Sequence, residues 1–189
     1  MSQVIVIEFV SLDGVIQDPD GNEGFRHGGW AFRYGPEPVT GDPFALSEVL
    51  GTGALLLGRR TWEMFAKIWP GRDDPFSAKM NAMPKLVASR SLVQAAGWQN
   101  STVLPGDLAA AVRERRRAQD IIVMGSASVV RTLLASDLVD EYRLMVFPLI
   151  LGEGMRLFPD GTAPVNLALA SAQTTGPAVK LIDTRPEHQ

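Results

Sequence analysis

The sequence predicts a three-layer αβα fold with a mostly parallel central sheet and antiparallel C-terminal strands. Three observations carry this expectation. Short aliphatic runs alternate with helical patterns from residue 54 to residue 136, the order that strand–helix–strand units impose. The runs at 4–10, 54–57 and 121–124 are apolar almost throughout, which marks strands buried on both faces. Two further strand-like runs, 165–173 and 178–183, flank Thr174-Thr175-Gly176-Pro177 and read as a hairpin.

The elements follow in order. Strand 4–10 is β-branched and ends at Ser11-Leu12-Asp13-Gly14, which is turn chemistry. Residues 18–41 carry glycine, proline and polar residues without period, with Phe25, Trp30, Phe32 and Tyr34 scattered among them; a loop this long in a small domain is usually functional. Asp42-Pro43 has the form of an N-cap and first helical residue, so a helix is expected to run from there to Leu50, with Gly51 and Gly53 closing it. Strand 54–57, helix 60–69, a short helix within 73–82 and strand 85–89 come next. Trp62 and Trp69 fall on the helix as core residues. Strand 102–104, helix 108–118 behind Pro105-Gly106-Asp107, strand 121–124 and helix 128–136 continue the alternation. A long strand is expected over 139–150, offering apolar surface for a partner copy, followed by the turn Gly152-Glu153-Gly154.

Bulk properties limit the function. A chain of 189 residues fits one domain, 1–189, and the formal net charge of -3 provides no positive field for a nucleic-acid backbone. The basic run 113–117 ends a helical pattern, where cations complement the helix dipole. Cysteine is absent, which removes disulfides, thiolate metal sites and cysteine nucleophiles and suits a reducing cytoplasm. With two separated histidines as well, no metal site is expected. Residues 1–3 lead into an apolar strand without a basic region or cleavage site, so no signal peptide is expected. The apolar run 144–151 is broken by Pro148, and a membrane span needs roughly 18 such residues. The expectation is a cytoplasmic protein that binds neither nucleic acid nor membrane.

Two stretches share one design: an apolar strand runs into glycine and a helix follows at once. They are Leu57-Gly58-Arg59-Arg60-Thr61-Trp62-Glu63 and Val123-Met124-Gly125-Ser126-Ala127-Ser128. Glycine permits close approach of the backbone to an anion, and the first N–H groups of the helix attract it. Such turns also occur for purely steric reasons, and neither matches the dinucleotide fingerprint or the lysine-bearing phosphate loop. Arg59 and Arg60 add donors suited to phosphate. In a parallel sheet, ligands lie outside the carboxyl ends of the strands, which assigns 11–14, 58–61, 89–90 and 125–127 to one rim.

Taken in order, these pieces, together with Ser11-Leu12-Asp13-Gly14, Ser89-Arg90, Leu138-Val139-Asp140-Glu141 and the run from Pro148 to Phe158, resemble the dihydrofolate reductase superfamily. Within it they are most similar to the reductase domain at the C-terminal end of the bifunctional riboflavin-biosynthesis deaminase-reductase, and the resemblance covers nearly the whole chain. It implies an NADPH-dependent reductase of small heterocyclic or imine or carbonyl substrates, and a homodimer. It implies that Gly58, Arg59, Arg60 and Thr61 meet the adenosine-side phosphates and that Ser89 and Arg90 lie near the adenosine 2′-phosphate. Gly125, Ser126 and Ala127 then lie on the pyrophosphate; the family often has a second glycine where this chain has Ser126. The alternatives are a dihydrofolate reductase proper and a non-catalytic NADP-binding homodimer.

Reduction also needs a proton donor, and the candidates are few. Asp13 ends strand 1 at the rim beside Ser11, so both are candidates for contact with substrate, with Asp13 as a catalytic carboxylate; aspartate before glycine is equally a turn residue. Asp42 precedes Gly58 at the spacing of the pterin-binding acid in dihydrofolate reductases, or else caps a helix. Trp30 could cover a substrate ring, while His27 in the loop and His188 near the end are the only histidines.

Overall fold

The computed structural model describes residues 2–46 and 49–184. Eight strands, β1 (Val4–Ser11), β2 (Ala54–Gly58), β3 (Lys85–Ala88), β4 (Ser101–Leu104), β5 (Ile121–Met124), β6 (Glu141–Phe147), β7 (Ala168–Thr175) and β8 (Ala178–Thr184), alternate with helices α1 (Arg59–Ile68), α2 (Pro75–Ala82), α3 (Leu108–Arg115) and α4 (Ala127–Ala135). They form one sheet in the order β4-β3-β2-β5-β1-β6-β8-β7. β2 pairs in parallel with β3 and β5, and β3 with β4, whereas β8 is antiparallel to both β6 and β7. The fold is therefore α/β, with the antiparallel C-terminal strands that the sequence predicts. No helix among the described residues is long and apolar enough to cross a membrane.

The chain divides into two compact units, Met1–Ile5 with Ala45–Val139 and Val6–Phe44 with Asp140–Gln189. In the first unit every residue of β2 is buried, and Ile121, Ile122 and Val123 of β5 beside it are wholly so. Each such aliphatic side chain contributes about 1.5 to 3 kcal/mol by leaving water. Two helices of this unit begin on aspartate caps. Asp74 accepts from the N–H groups of Phe76 and Ser77, each at 3.0 Å, ahead of Pro75, and Asp107 accepts from Ala110 N–H at 2.8 Å. The other two, α1 and α4, have no side-chain cap.

In the second unit the long loop is ordered by buried groups. Asp18, buried and left-handed at φ 52, accepts the N–H groups of Glu23 and Phe25 through its two carboxylate oxygens, both at 2.9 Å. A short 3-10 helix, Ala31–Tyr34, lies inside the predicted loop. Around Phe147 gather the rings of Trp30, Tyr34 and Phe9, with centroids 5.4, 5.6 and 5.8 Å away.

Two expected elements differ. No helix forms over the described residues of 42–50; Ser47 and Glu48 lie outside them. Ala45 is left-handed at φ 53, and Arg143 Nη1 donates to the Phe44 carbonyl at 3.1 Å, taking an acceptor a helix would need. Apolar periodicity misled here because Phe44, Leu46 and Leu50 are buried individually, as anchors of turns. The strand expected over 139–150 is only β6, which stops before Pro148. Its Tyr142, Leu144, Met145 and Phe147 are buried in the chain's own core, so β6 is not the partner surface the sequence suggested.

Lys85 opens β3 fully buried, with Nζ donating to the carbonyls of Met80 (3.2 Å) and Asn81 (2.7 Å) at the end of α2 and lying 4.4 Å from the Trp98 ring centre. Burial pulls its pKa down to about 8. Below that pH both the folded and unfolded chains hold the proton and the burial penalty is fully felt. Between about pH 8 and the ordinary lysine value near 10.5 the folded state binds fewer protons, so this group makes stability rise with pH. Lys85→Met should abolish that rise: denaturant melts at pH 7.5 and pH 10 should show wild type gaining on the variant, and equal changes in both would refute the assignment.

Candidate functional site

Register places the ends of the parallel strands of the first unit side by side. Gly58 at the end of β2 pairs with Ala88 of β3, and Ala88 with Leu104 of β4, while β5 on the other side of β2 ends at Met124. The segments 58–61, 89–90 and 125–127 therefore share the carboxyl edge, as the sequence predicts. The turns after β2 and β5 interlock. A methyl group on Gly58 would fall 1.9 Å from Ser126 Oγ, and one on Gly125, which is left-handed at φ 71, would fall 2.9 Å from Thr61 Cγ2. Thr61 Oγ1 and Ser126 Oγ are 3.2 Å apart in a hydrogen bond. Each turn is thus close-packed against the other at a point where only a glycine fits.

The same turns start the two helices without side-chain caps. Gly58, the N-cap of α1, has no side chain to offer; Ser126, the N-cap of α4, has a hydroxyl but holds it against Thr61, with its own backbone at φ 67. First-turn N–H groups of a helix need acceptors, and here no side chain of the turn supplies one. Arg59 and Arg60 are exposed beside them, Arg59 Nε lying 3.9 Å from Glu63 Oε1 one turn on. Ala127 is buried and brings its backbone rather than its side chain. This is a cradle that fits the phosphates of a dinucleotide: close backbone approach, uncapped helix starts and guanidinium groups at the edge.

Beyond the ends of β3 and β4 lies an open groove of about 470 Å³ between the segment Ser89–Val93 and Pro105-Gly106. Leu92, Val93, Val103 and Leu104 line it together with the polar groups of Ser89 and the exposed Arg90, which supplies a cation. Ser89 Oγ accepts from Leu92 N–H at 2.9 Å and so shapes the turn that presents Arg90. An open groove of mixed apolar and polar lining with one guanidinium at its edge can accept a ring that carries a phosphate.

In the second unit the candidates behave differently. The Asp13 carboxylate accepts from Ser11 Oγ (2.7 Å) and from the backbone N–H groups of Leu151 (3.1 Å) and Gly152 (2.9 Å), with Arg156 Nη2 3.7 Å away. Burial alone would raise its pKa, but the Ser11 hydroxyl and the two backbone donors together outweigh it and hold the carboxyl at about 2. It is ionised at neutral pH and cannot donate a proton, which corrects its expected role as a catalytic acid. Ser11 is buried and also accepts from Val15 N–H at 2.8 Å, so its hydroxyl is engaged in the turn rather than open to substrate. Trp30 is likewise corrected: its ring is wholly buried and Nε1 donates to the Gln17 carbonyl at 2.8 Å, leaving no face for a ligand.

Asp42 is half-buried before a turn instead of capping a helix. His27 Nε2 accepts from Arg26 Nε at 3.1 Å, and both approach Glu153 in a half-exposed knot. His188 lies outside the described residues. Sequence reasoning missed Asp18 as the organiser of the long loop, although Asp18-Pro19-Asp20-Gly21 is turn chemistry it could have weighed.

The RibD C-terminal domain family matches residues 2–181, and the chain belongs to that family. It is 27% identical over 179 residues to the uncharacterized protein YyaP of Bacillus subtilis, an alignment covering 91% of this chain and 88% of that one. Its fold is similar to that of a putative riboflavin biosynthesis protein from Shewanella sp. PV-4 (TM-score 0.76, 21% identity, 98% of this chain and 99% of that one). It is also similar in fold to a pyrimidine reductase-like protein from Corynebacterium diphtheriae (TM-score 0.68, 15% identity, 99% and 93% covered).

Replacing Asp13 with asparagine removes the charge and one of the two carboxylate oxygens, Oδ1 and Oδ2, that accept from Leu151 N–H and Gly152 N–H respectively. The variant should be less stable at pH 7 by about 1 to 3 kcal/mol. Because the carboxyl titrates near 2 instead of near 3.8, its contribution is complete above about pH 4 and is lost as pH falls toward 2. Urea unfolding at pH 7 and pH 3 should therefore show the gap between the two proteins narrowing in acid, and a constant gap would contradict the assignment.

Proposed function

We propose that this protein is an NADPH-dependent reductase whose cofactor lies along the carboxyl edge of β2, β3, β4 and β5. The observation that carries the reading is the contrast among the four helices: α2 and α3 begin on aspartate caps, whereas α1 and α4, which follow the two interlocked glycine turns, do not. Aspartate at those two starts would repel a phosphate; open N–H groups attract it. In this reading the starts of α1 and α4, with Arg59 and Arg60, take the diphosphate, and the groove beside Arg90 takes the adenosine end with its 2′-phosphate. Membership of the RibD C-terminal domain family supports it.

Bound NADPH would supply a hydride that, with one proton, reduces a C=N or C=O bond by two electrons. The substrate class is a small heterocycle of the pyrimidine type, supported by membership of the family and by the likeness in fold to a protein described as pyrimidine reductase-like. Asp42, half-buried, is the carboxylate proposed to face substrate.

Titration with NADPH and NADH, followed by nucleotide fluorescence, tests the cofactor. NADPH should bind more tightly, and Arg90→Ala should weaken NADPH by about 1 to 3 kcal/mol, the scale of a charge-assisted hydrogen bond, and NADH by less. Failure of a folded protein to bind either nucleotide would overturn the reading. Binding without oxidation of NADPH across a panel of pyrimidine substrates would leave a nucleotide-binding module.

The proposed homodimer pairs through β7 instead of β6. β7 is an edge strand, six of its eight residues exposed, and no charged residue occurs from Val165 to Thr175, whereas edges that stay solitary normally carry charge. Leu169→Lys on the exposed strand should shift sedimentation from dimer to monomer; an unchanged dimer, or a monomeric wild type, would rule this interface out.

A further inference from the structure

Asp42 sits between a joint and a brace. Upstream, the turn 36–40 closes on itself, with Val39 N–H and Thr40 Oγ1 both donating to the Pro36 carbonyl, at 3.0 and 2.8 Å, and left-handed Gly41 at φ 71 follows it. Glycine rotates more freely than any other residue, so this side gives the Asp42 carboxylate little direction. Downstream the chain is stiff. Pro43 fixes its own φ and confines the residue before it to extended backbone, so whatever anchors Phe44 also orients Asp42. Phe44 is anchored twice: its buried ring lies 5.0 Å from that of Phe9, and its carbonyl accepts from Arg143 Nη1 at 3.1 Å. Arg143 is itself held by the ion pair of its Nε with Glu141 on the same face of β6, the two side chains being only 14% and 10% exposed. A charge pair so nearly buried is often no more stable than apolar side chains in its place, and this one sends a guanidinium donor to the segment that bears Asp42.

We infer that Arg143 is a positioning residue for the proposed reduction: by holding the Phe44 carbonyl it fixes, through Pro43, the direction in which Asp42 presents its carboxylate to substrate. The inference rests on Asp42 as the proposed substrate-facing carboxylate and deepens that reading; Arg143 acts through Asp42 and touches no reacting atom. The planar fork of arginine suits this task, because one nitrogen meets Glu141 while another reaches Phe44. A lysine ammonium is a single point on a flexible stem, so it keeps the charge pair without the brace.

The test uses Arg143→Lys, which leaves Glu141 its counter-charge, and the double variant Arg143→Met with Glu141→Met, which removes both charges so that neither stays buried alone. Each should lower kcat for NADPH-dependent reduction of a pyrimidine substrate by about tenfold or more, since a misplacement of about 1 Å can cost on the order of a hundredfold. NADPH binding should be unchanged. The decisive comparison is made in an Asp42→Asn background, where Arg143→Lys should cost nothing further because the group it positions is gone. If the two losses add, Arg143 only supports the fold, and the inference falls while the Asp42 reading stands. An Asp42→Asn variant as active as wild type overturns that reading and the inference together. A second readout needs no substrate. In the ligand-free protein, NMR order parameters at Asp42 should fall in Arg143→Lys and keep their wild-type value at Val39 in the preceding turn. Unchanged order at Asp42 overturns the inference even if wild type reduces no substrate, an outcome that separately overturns the proposed reductase.

Discussion

The first unit depends on the fit between two turns that are far apart in the chain. Gly58 yields the volume that Ser126 Oγ occupies, and Gly125 yields the volume against the Thr61 methyl, so neither turn can accept a larger residue without displacing the other. That mutual exclusion brings the starts of α1 and α4 together at the ends of adjacent strands β2 and β5. Packing at this density admits few alternative arrangements. The polar consequence follows from the steric one: a helix start that close to another backbone has little room for a capping side chain, and α1 and α4 begin without one.

Carboxylates in this protein show how environment, not residue type, decides chemistry. Asp74 and Asp107 cap helices and stay at the surface of their turns. Asp18 and Asp13 do what a cap does, but for loops: each gathers backbone N–H groups from segments without regular hydrogen bonding. Gathering donors stabilises the ionised form, so the same contacts that make Asp13 a good staple remove it as a proton source at neutral pH. An acid for reduction needs the opposite surroundings, apolar and poor in donors.

Lys85 shows the same rule with the sign reversed. It is buried at the amino end of β3, opposite the edge that bears the glycine turns, and the Met80 and Asn81 carbonyl oxygens and the Trp98 ring face it. Carbonyl dipoles and an aromatic face compensate part of the lost hydration, yet burial still favours the neutral amine. It helps close the end of α2, donating to the Met80 and Asn81 carbonyls beside the side-chain amides of Gln99 and Asn100, which also reach these last carbonyls.

The fold was legible because its signals are local. Apolar runs of four to seven residues, proline at the start of α2 and glycine at strand ends each act within a few residues, and β2, β5, α1, α4 and the final hairpin lie within a residue or two of where periodicity puts them, though β7 starts three residues late. The glycine turns and the exposed arginines were legible for the same reason. What failed was wherever a distant group overrode a local preference: Arg143 takes the Phe44 carbonyl across 99 positions and the expected helix is lost, and Leu151 claims Asp13 across 138. Trp30 looked like a loop aromatic until its ring packed on Phe147. The bond between Thr61 and Ser126 spans 65 positions. Sequence by itself determined which segments are strands and helices and which turns could face an anion; only the tertiary structure decided which hydroxyls and carboxylates remain available there, because hydrogen-bond partners are allotted by proximity in space, which chain order does not record.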